Sequence, residues 1–276
     1  MNRTDPWSPH PAGDRPARRL GDRGPLVLAV HGIEDGWRGW TPLARLLADR
    51  FRVVAVDPPW RSGNDYTWRE DGSPGQWLAE TAAALGEPVD VLLAHSFGAN
   101  AALEALADGL RPGRAVLIAP SYRPSEHADD DTLRAESVAA LDVTVRDGLR
   151  VRLGGRGERV GPDLLRVMAD GLSAHLVPRA FPVFYRTFAA SGRLDLAGVE
   201  VPTLVLGGPA DPALAGYRAQ GLARDFPAAT VVLRAHYGHF CHIDQAAEVA
   251  AEIAPFLGVP IPDTQPCPHP VGGPTR

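Results

Sequence analysis

Ser96 stands in Ala94-His95-Ser96-Phe97-Gly98, between the apolar run Val91-Leu92-Leu93 and an Ala/Leu-rich stretch with helical spacing, Asn100 to Ala107. Strand, sharp turn and helix in that order lift a serine hydroxyl to the tip of the turn. Residues two before and two after the serine crowd together there and must be small; Ala94 and Gly98 are. The pattern is close to the G-x-S-x-G nucleophile elbow, with Ala94 in place of the first glycine. The chemistry it suits is acyl transfer. A serine hydroxyl is a weak nucleophile and must be presented to a base. The turn strains the backbone at Ser96, and the Phe97 N–H, at the helix start, points where an oxyanion would form.

Candidate bases crowd one later segment: His236, His239 and His242. A histidine titrates near neutrality, so it can take a proton from serine and return it to a leaving group. The same cluster has metal-ligand chemistry, but Cys241 and Asp244 are its only partners at ligand-like spacing, and neither metal nor cofactor is expected. Asp211, in Gly208-Pro209-Ala210-Asp211-Pro212, is a candidate carboxylate; an Asp-Pro pair also suits a helix N-cap.

The elements that must position these residues follow from hydrophobic spacing. Leu26 to Val30, Phe51 to Val56, Val89 to Leu93, Ala115 to Ile118, Pro202 to Leu206 and Thr230 to Leu233 are short apolar runs, as strands buried on both faces of a parallel sheet require. Helical patterns lie between them: Trp40 to Asp49, Gln76 to Leu85, Ala213 to Ala223 and Gln245 to Leu257. The alternation predicts an α/β fold with a doubly wound, mostly parallel sheet. Residues 121–198 break it with helical patterns over Leu133–Val145, Pro162–Ala174 and Arg179–Ala190, and read as an inserted helical cap. The expected organisation is a loose N-terminal arm (1–24) with room for a degenerate first strand, a core (25–120 and 199–257), the cap between them, and a Pro-rich tail (258–276).

On this framework the chain resembles the α/β-hydrolase family over roughly residues 25 to 257. Three landmarks besides the elbow match in order. His31-Gly32-Ile33 follows the opening strand, and the resemblance implies that the Ile33 N–H joins the Phe97 N–H as an oxyanion donor. Asp211 lies a short loop beyond a strand end, where the family keeps its triad acid. Gly238-His239-Phe240 follows the last strand and matches the catalytic histidine loop. The resemblance thus implies Ser96, Asp211 and His239 as nucleophile, acid and base. A serine nucleophile sets aside the chemistries that need an aspartate there. The loop Asp57-Pro58-Pro59-Trp60-Arg61-Ser62-Gly63 departs from the Gly-rich run common at that place.

In this fold the pocket lies at the carboxyl ends of the strands, under the cap. Trp37, Trp60, His95 and Phe184 are the candidate substrate contacts. Trp40, Trp68, Phe181 and Tyr185 are further aromatics, with core packing as their bland reading. Arg61 is a candidate for meeting an anionic substrate, or else an ordinary exposed arginine. The leading expectation is a hydrolase of an ester or thioester with a small to medium, partly apolar acyl group. A carbon–carbon bond hydrolase of meta-cleavage-product type and a non-hydrolytic ligand-binding or partner protein are the alternatives.

Composition narrows the partners. The 276 residues include 45% hydrophobic ones and carry a net charge of −5, and all basic residues are arginine. Nothing in that balance favours nucleic acid. The first apolar run is too short for a signal core or a membrane span. Cys241 and Cys267 are far apart and suit a reducing compartment, so a cytoplasmic location without membrane attachment is expected. The partner expected is a small acyl substrate; oligomeric state is not readable.

Overall fold

A computed structural model describes residues 5–259 apart from 71 and 215. Cys267 and the Pro-rich tail from residue 260 onward lie outside the described residues, as does the start of the expected arm. Eight strands form one sheet: β1 (Ser8–His10), β2 (Ala17–Leu20), β3 (Leu26–Val30), β4 (Arg52–Val56), β5 (Val91–His95), β6 (Arg114–Ile118), β7 (Thr203–Gly207) and β8 (Ala229–Leu233). Their spatial order is β1-β2-β4-β3-β5-β6-β7-β8. Every pairing from β4 to β8 is parallel, and β1 and β2 add an antiparallel edge.

The helices explain the parallel pairing, because a parallel crossover needs a long connection. They are α1 (Thr41–Leu47), α2 (Pro74–Ala84), α3 (Phe97–Ala107), α4 (Asp131–Leu153), α5 (Pro162–Ser191), α6 (Tyr217–Asp225), α7 (Cys241–Asp244) and α8 (Ala246–Leu257). Side chains alternate across a strand. Leu26, Leu28 and Val30 therefore join one core layer with Leu78 of α2, Leu103 of α3 and Leu222 of α6. Val27 and Ala29 join the opposite layer with Leu43 of α1 and Ile253 of α8. The sheet is covered on both faces, which is why its strands read as continuous apolar runs.

Two expectations change. Residues 5–24 are not a loose arm: β1 pairs with β2, and β2 pairs with β4 from Ala17 opposite Val56 to Leu20 opposite Val53. Main-chain bonds hold an edge strand, so its side chains (Ala17-Arg18-Arg19-Leu20) need no apolar run. Trp7 anchors the segment, donating its indole N–H to Thr41 Oγ1 at 2.9 Å. The second change is in the insertion, where Pro162–Ser191 is one helix rather than two, with Pro178 and Pro182 inside it. Both prolines lie on the exposed side, where carbonyls left without a partner are solvated by water.

The two insert helices α4 and α5 pack along each other, with Arg146 of α4 binding Asp142 at 2.7 Å and Asp170 of α5 at 2.5 Å. Among the described residues, no helix is long and apolar enough to cross a membrane.

Candidate active site

Four carboxyl-terminal strand ends converge. At the end of β5 the Ser96 N–H donates to Ile118 O (2.9 Å) across the sheet, and Ser96 O accepts from the Asn100 N–H (3.0 Å) in α3. One residue thus closes a strand ladder and opens a helix. The cost is a backbone at φ +52°, ψ −122°, a region that residues with a side chain rarely adopt. The turn is made possible by close approach. A Cβ on Gly98 would lie 2.5 Å from His31 O and 2.7 Å from Val30 O, so α3 can seat against β3 only with glycine there.

His239, in the loop after β8, turns its ring toward Ser96. Its Nε2 is 2.8 Å from Ser96 Oγ, while Nδ1 lies 3.1 and 3.0 Å from the two oxygens of Asp211. Asp211 follows β7 and is fixed in turn by the Ala213 N–H, which donates to its Oδ1 at 2.9 Å. A carboxylate only accepts, so Nδ1 carries the proton and Nε2 is left bare toward the hydroxyl. Burial alone pushes the His239 pKa down; the Asp211 charge and hydrogen bond outweigh it, and the net shift is upward.

His31-Gly32-Ile33, after β3, forms the wall facing the serine. A Cβ on Gly32 would stand 3.0 Å from Ser96 Cβ and 3.4 Å from its Oγ. The Ile33 N–H has no acceptor among the described residues, and the Phe97 N–H lies in the first turn of α3, where a helix offers none. The loop is braced from both sides. The His31 ring donates toward Asp57 (3.2 Å), and Glu34, at φ +56°, gives its N–H to Trp60 O. The buried Glu34 carboxylate accepts from Tyr66 Oη (2.6 Å), Asn64 Nδ2 (3.0 Å) and the Gly63 N–H (3.2 Å).

His95, expected as a substrate contact, lines the cavity beside Ser96 but spends its Nε2 on the histidine loop. Its Nε2–H donates to His239 O at 2.9 Å, and its ring packs against that of His242, tilted by 43° with centroids 4.1 Å apart. The ring is thus a strut beneath the histidine loop as well as part of the cavity wall. Burial first, then the neighbouring imidazoles, hold His95 far below its ordinary range and bring His242 down to about 3. The atoms His95 Nδ1, His242 Nδ1 and Asp35 Oδ2 have no hydrogen-bond partner. Among the described residues, Asp35, His95 and His242 are the one group whose ligand atoms come within 4.8 Å of one another. Cys241 and Asp244 take no part in it. Cys241 is buried, its thiol pushed up to about 12 by burial, and Asp244 binds Arg150 of α4 at 2.6 Å.

A narrow cavity opens above Ser96 and His239. Its walls are mostly apolar, from Ile33, Leu141, Val145, Leu176, Phe184 and Phe240. Phe184 was expected there. Trp60 and Trp37 were expected too and are elsewhere. Trp60 is wholly buried in the core, its indole N–H given to His31 O at 3.0 Å and its ring packed on Trp77 and Phe97. Trp37 lies outside the cavity, edge-on to Trp7 and under the Arg38 guanidinium at 4.1 Å. Arg61 is exposed and does not line the serine's cavity. The cations that do line the cavity are Arg152 of α4 and Arg218 of α6. Arg152 donates to Glu34 O and approaches Asp35 at 3.8 Å, tying the insertion to the loop that carries Ile33. Neither arginine has a signature in the sequence, since each sits in an ordinary helical stretch.

Comparison with known proteins agrees with this architecture. The model of the alpha/beta hydrolase family matches residues 27–252. A 2-(acetamidomethylene)succinate hydrolase from Mesorhizobium japonicum is 27% identical over 230 residues, 78% of this chain and 82% of that protein. A pimeloyl-[acyl-carrier protein] methyl ester esterase from Stenotrophomonas maltophilia is 29% identical over 250 residues, 85% and 93% of the two chains. Among solved structures, a meta-cleavage product hydrolase from Pseudomonas fluorescens superposes with a TM-score of 0.65 at 18% identity, covering 90% of this chain and 96% of that one.

Proposed function

The chain belongs to the alpha/beta hydrolase family, and we propose that it is a serine hydrolase that cleaves an ester or thioester through an acyl-enzyme. The observation that carries this reading is the single line of contacts from Asp211 through His239 Nδ1 and Nε2 to Ser96 Oγ, at 3.0 and 2.8 Å. Ser96 Oγ attacks the acyl carbon as His239 Nε2 takes its proton. Asp211 holds the imidazole in the tautomer that can do so and stabilises the cation that results. The N–H groups of Ile33 and Phe97 receive the oxyanion. His239 then protonates the leaving oxygen or sulfur, the acyl group stays on Ser96, and a water activated by His239 releases it. The apolar lining supports a medium-sized, partly apolar acyl group. The esterase named among the relatives supports ester chemistry, and α4 and α5 act as the cap that closes over it.

The test is turnover on 4-nitrophenyl acyl esters, acyl-pantetheine thioesters and a vinylogous 1,5-diketone over several chain lengths, with Ser96→Ala as control. Release of product that depends on Ser96 from esters or thioesters is expected. Equal turnover by Ser96→Ala overturns the mechanism, and cleavage of the diketone alone moves the protein to carbon–carbon hydrolysis.

A further inference from the structure

We propose that the cavity takes a substrate bearing a carboxylate, and that the Arg218 guanidinium is its anchor. The inference rests on the hydrolase reading for what the bound molecule is. Arg218 comes from the first turn of α6 and is only 6% exposed, yet it lines the same cavity as Ser96 and His239. Its partners are neutral. Nε meets Tyr217 Oη at 3.3 Å, Nη1 donates to Pro212 O at 2.9 Å, and the guanidinium sits over the Phe188 ring at 4.8 Å. Among the described residues Nη2 has no partner and no carboxylate stands within ion-pair distance.

Among the described residues, no acid around the cavity is in ion-pair reach of Arg218, although Asp35 Oδ2 is left without a partner of its own. Glu34 serves Tyr66, Asn64 and the Gly63 N–H. Asp35 faces Arg152, and Asp211 holds His239 and the Ala213 N–H. On α6 itself, Asp225 is taken by Arg224 and by Tyr122 Oη at 2.7 Å. A guanidinium cannot shed its proton, so burying it without a counter-charge is expensive. The remaining surroundings are apolar walls. The anion that balances it therefore enters with the ligand. A carboxylate fits, since its planar pair of oxygens matches the guanidinium fork and its single charge matches the single uncompensated cation. Arg152, partly exposed and facing Asp35, does not add a second one.

The test separates the charge from the scissile group. Monoamides of linear diacids, from butanedioic to octanedioic, present a neutral amide to Ser96 and a carboxylate at the far end; the matching diamides lack only the charge. Calorimetry at pH 8 compares their binding to the wild type, Arg218→Gln and Arg218→Lys. At least one monoamide should bind roughly ten-fold or more tightly than its diamide, as charged hydrogen bonds do. Arg218→Gln should bring that ratio to within about three-fold, and Arg218→Lys should keep part of it. Equal binding of monoamides and diamides across the series overturns the proposal, as does a preference that survives in Arg218→Gln. Should that variant not fold, phenylglyoxal modification of the wild type, mapped by peptide mass, replaces it. Monoamide must then slow modification of Arg218 where diamide does not, and equal protection refutes the anchor. Failure of Ser96 to react with a fluorophosphonate would overturn the serine mechanism alone, because the binding ratio needs no turnover.

Discussion

Replacing Asp211 by asparagine tests the site with the smallest change of shape. The two carboxylate oxygens have overlapping duties. Oδ1 accepts the Ala213 N–H at 2.9 Å and lies 3.1 Å from His239 Nδ1, whereas Oδ2 faces Nδ1 alone, and more closely, at 3.0 Å. An asparagine that keeps the Ala213 bond must put its oxygen at the first position and its NH₂ at the second. A donor then meets Nδ1, which can accept only if it is bare. The imidazole switches its proton to Nε2, where it points at Ser96 Oγ, and the base can no longer take the serine proton. The pair is buried, with side chains 5% and 0% exposed, so water cannot step in as a substitute acceptor. The expected loss in kcat is about 10⁴, or about 5 kcal/mol of transition-state stabilisation. The assay is kcat and KM on a 4-nitrophenyl ester, with circular dichroism to confirm that the isosteric variant folds. A folded Asp211→Asn enzyme with more than a tenth of wild-type kcat would refute this tautomer argument.

Three further outcomes follow from the same contacts. The raised pKa of His239 means that the imidazole stays protonated, and useless as a base, to a higher pH than an ordinary histidine; kcat/KM should therefore fall with decreasing pH through an apparent pKa above 6.5, and a limb at or below 6.5 would contradict it. His95 and His242 are held neutral in the fold but take up protons when unfolded, so stability present above about pH 6.5 is lost toward the folded value, about 3 for His242. Each contributes a slope of up to about 1.4 kcal/mol per pH unit; urea denaturation at pH 7 and pH 5 should show the loss, and His242→Gln should flatten it. Gly98→Ala drives a Cβ into the carbonyls of His31 and Val30 at 2.5 and 2.7 Å. It should cost about 1–3 kcal/mol or more and lower the melting temperature, and an unchanged melt would show that α3 seats less tightly than described.

The central strands were legible because a sheet covered on both faces demands unbroken apolar runs, and Leu26–Val30 or Thr203–Gly207 can be little else. The edge was legible only as room for a degenerate first strand in residues 1–24. Ala17-Arg18-Arg19-Leu20 is held by main-chain pairing to β4, a bond type that leaves no mark on side-chain polarity. Prolines mislead in α5 because solvent on the outer side of the helix satisfies the carbonyls they strand. Ser96, Asp211 and His239 stood out by type and order, and the structure brings all three into hydrogen-bond contact. The cavity walls stood out only in part. Ile33 and Phe184 were expected there, but Leu141 and Arg218 come from distant segments in which each reads as an ordinary helix residue. The tryptophans show the limit of reasoning from residue type: Trp60 serves the core and Trp37 the surface, and only the third dimension tells them apart from Phe184.

The most direct measurement is to find where the acyl group goes. The protein is mixed with a slowly deacylating 4-nitrophenyl ester, quenched in acid, and its peptides are mapped by mass. One acyl group per chain is expected, on the peptide containing Ser96 and absent from Ser96→Ala. Continued turnover with no adduct on Ser96, or with the acyl group on another residue, would contradict it.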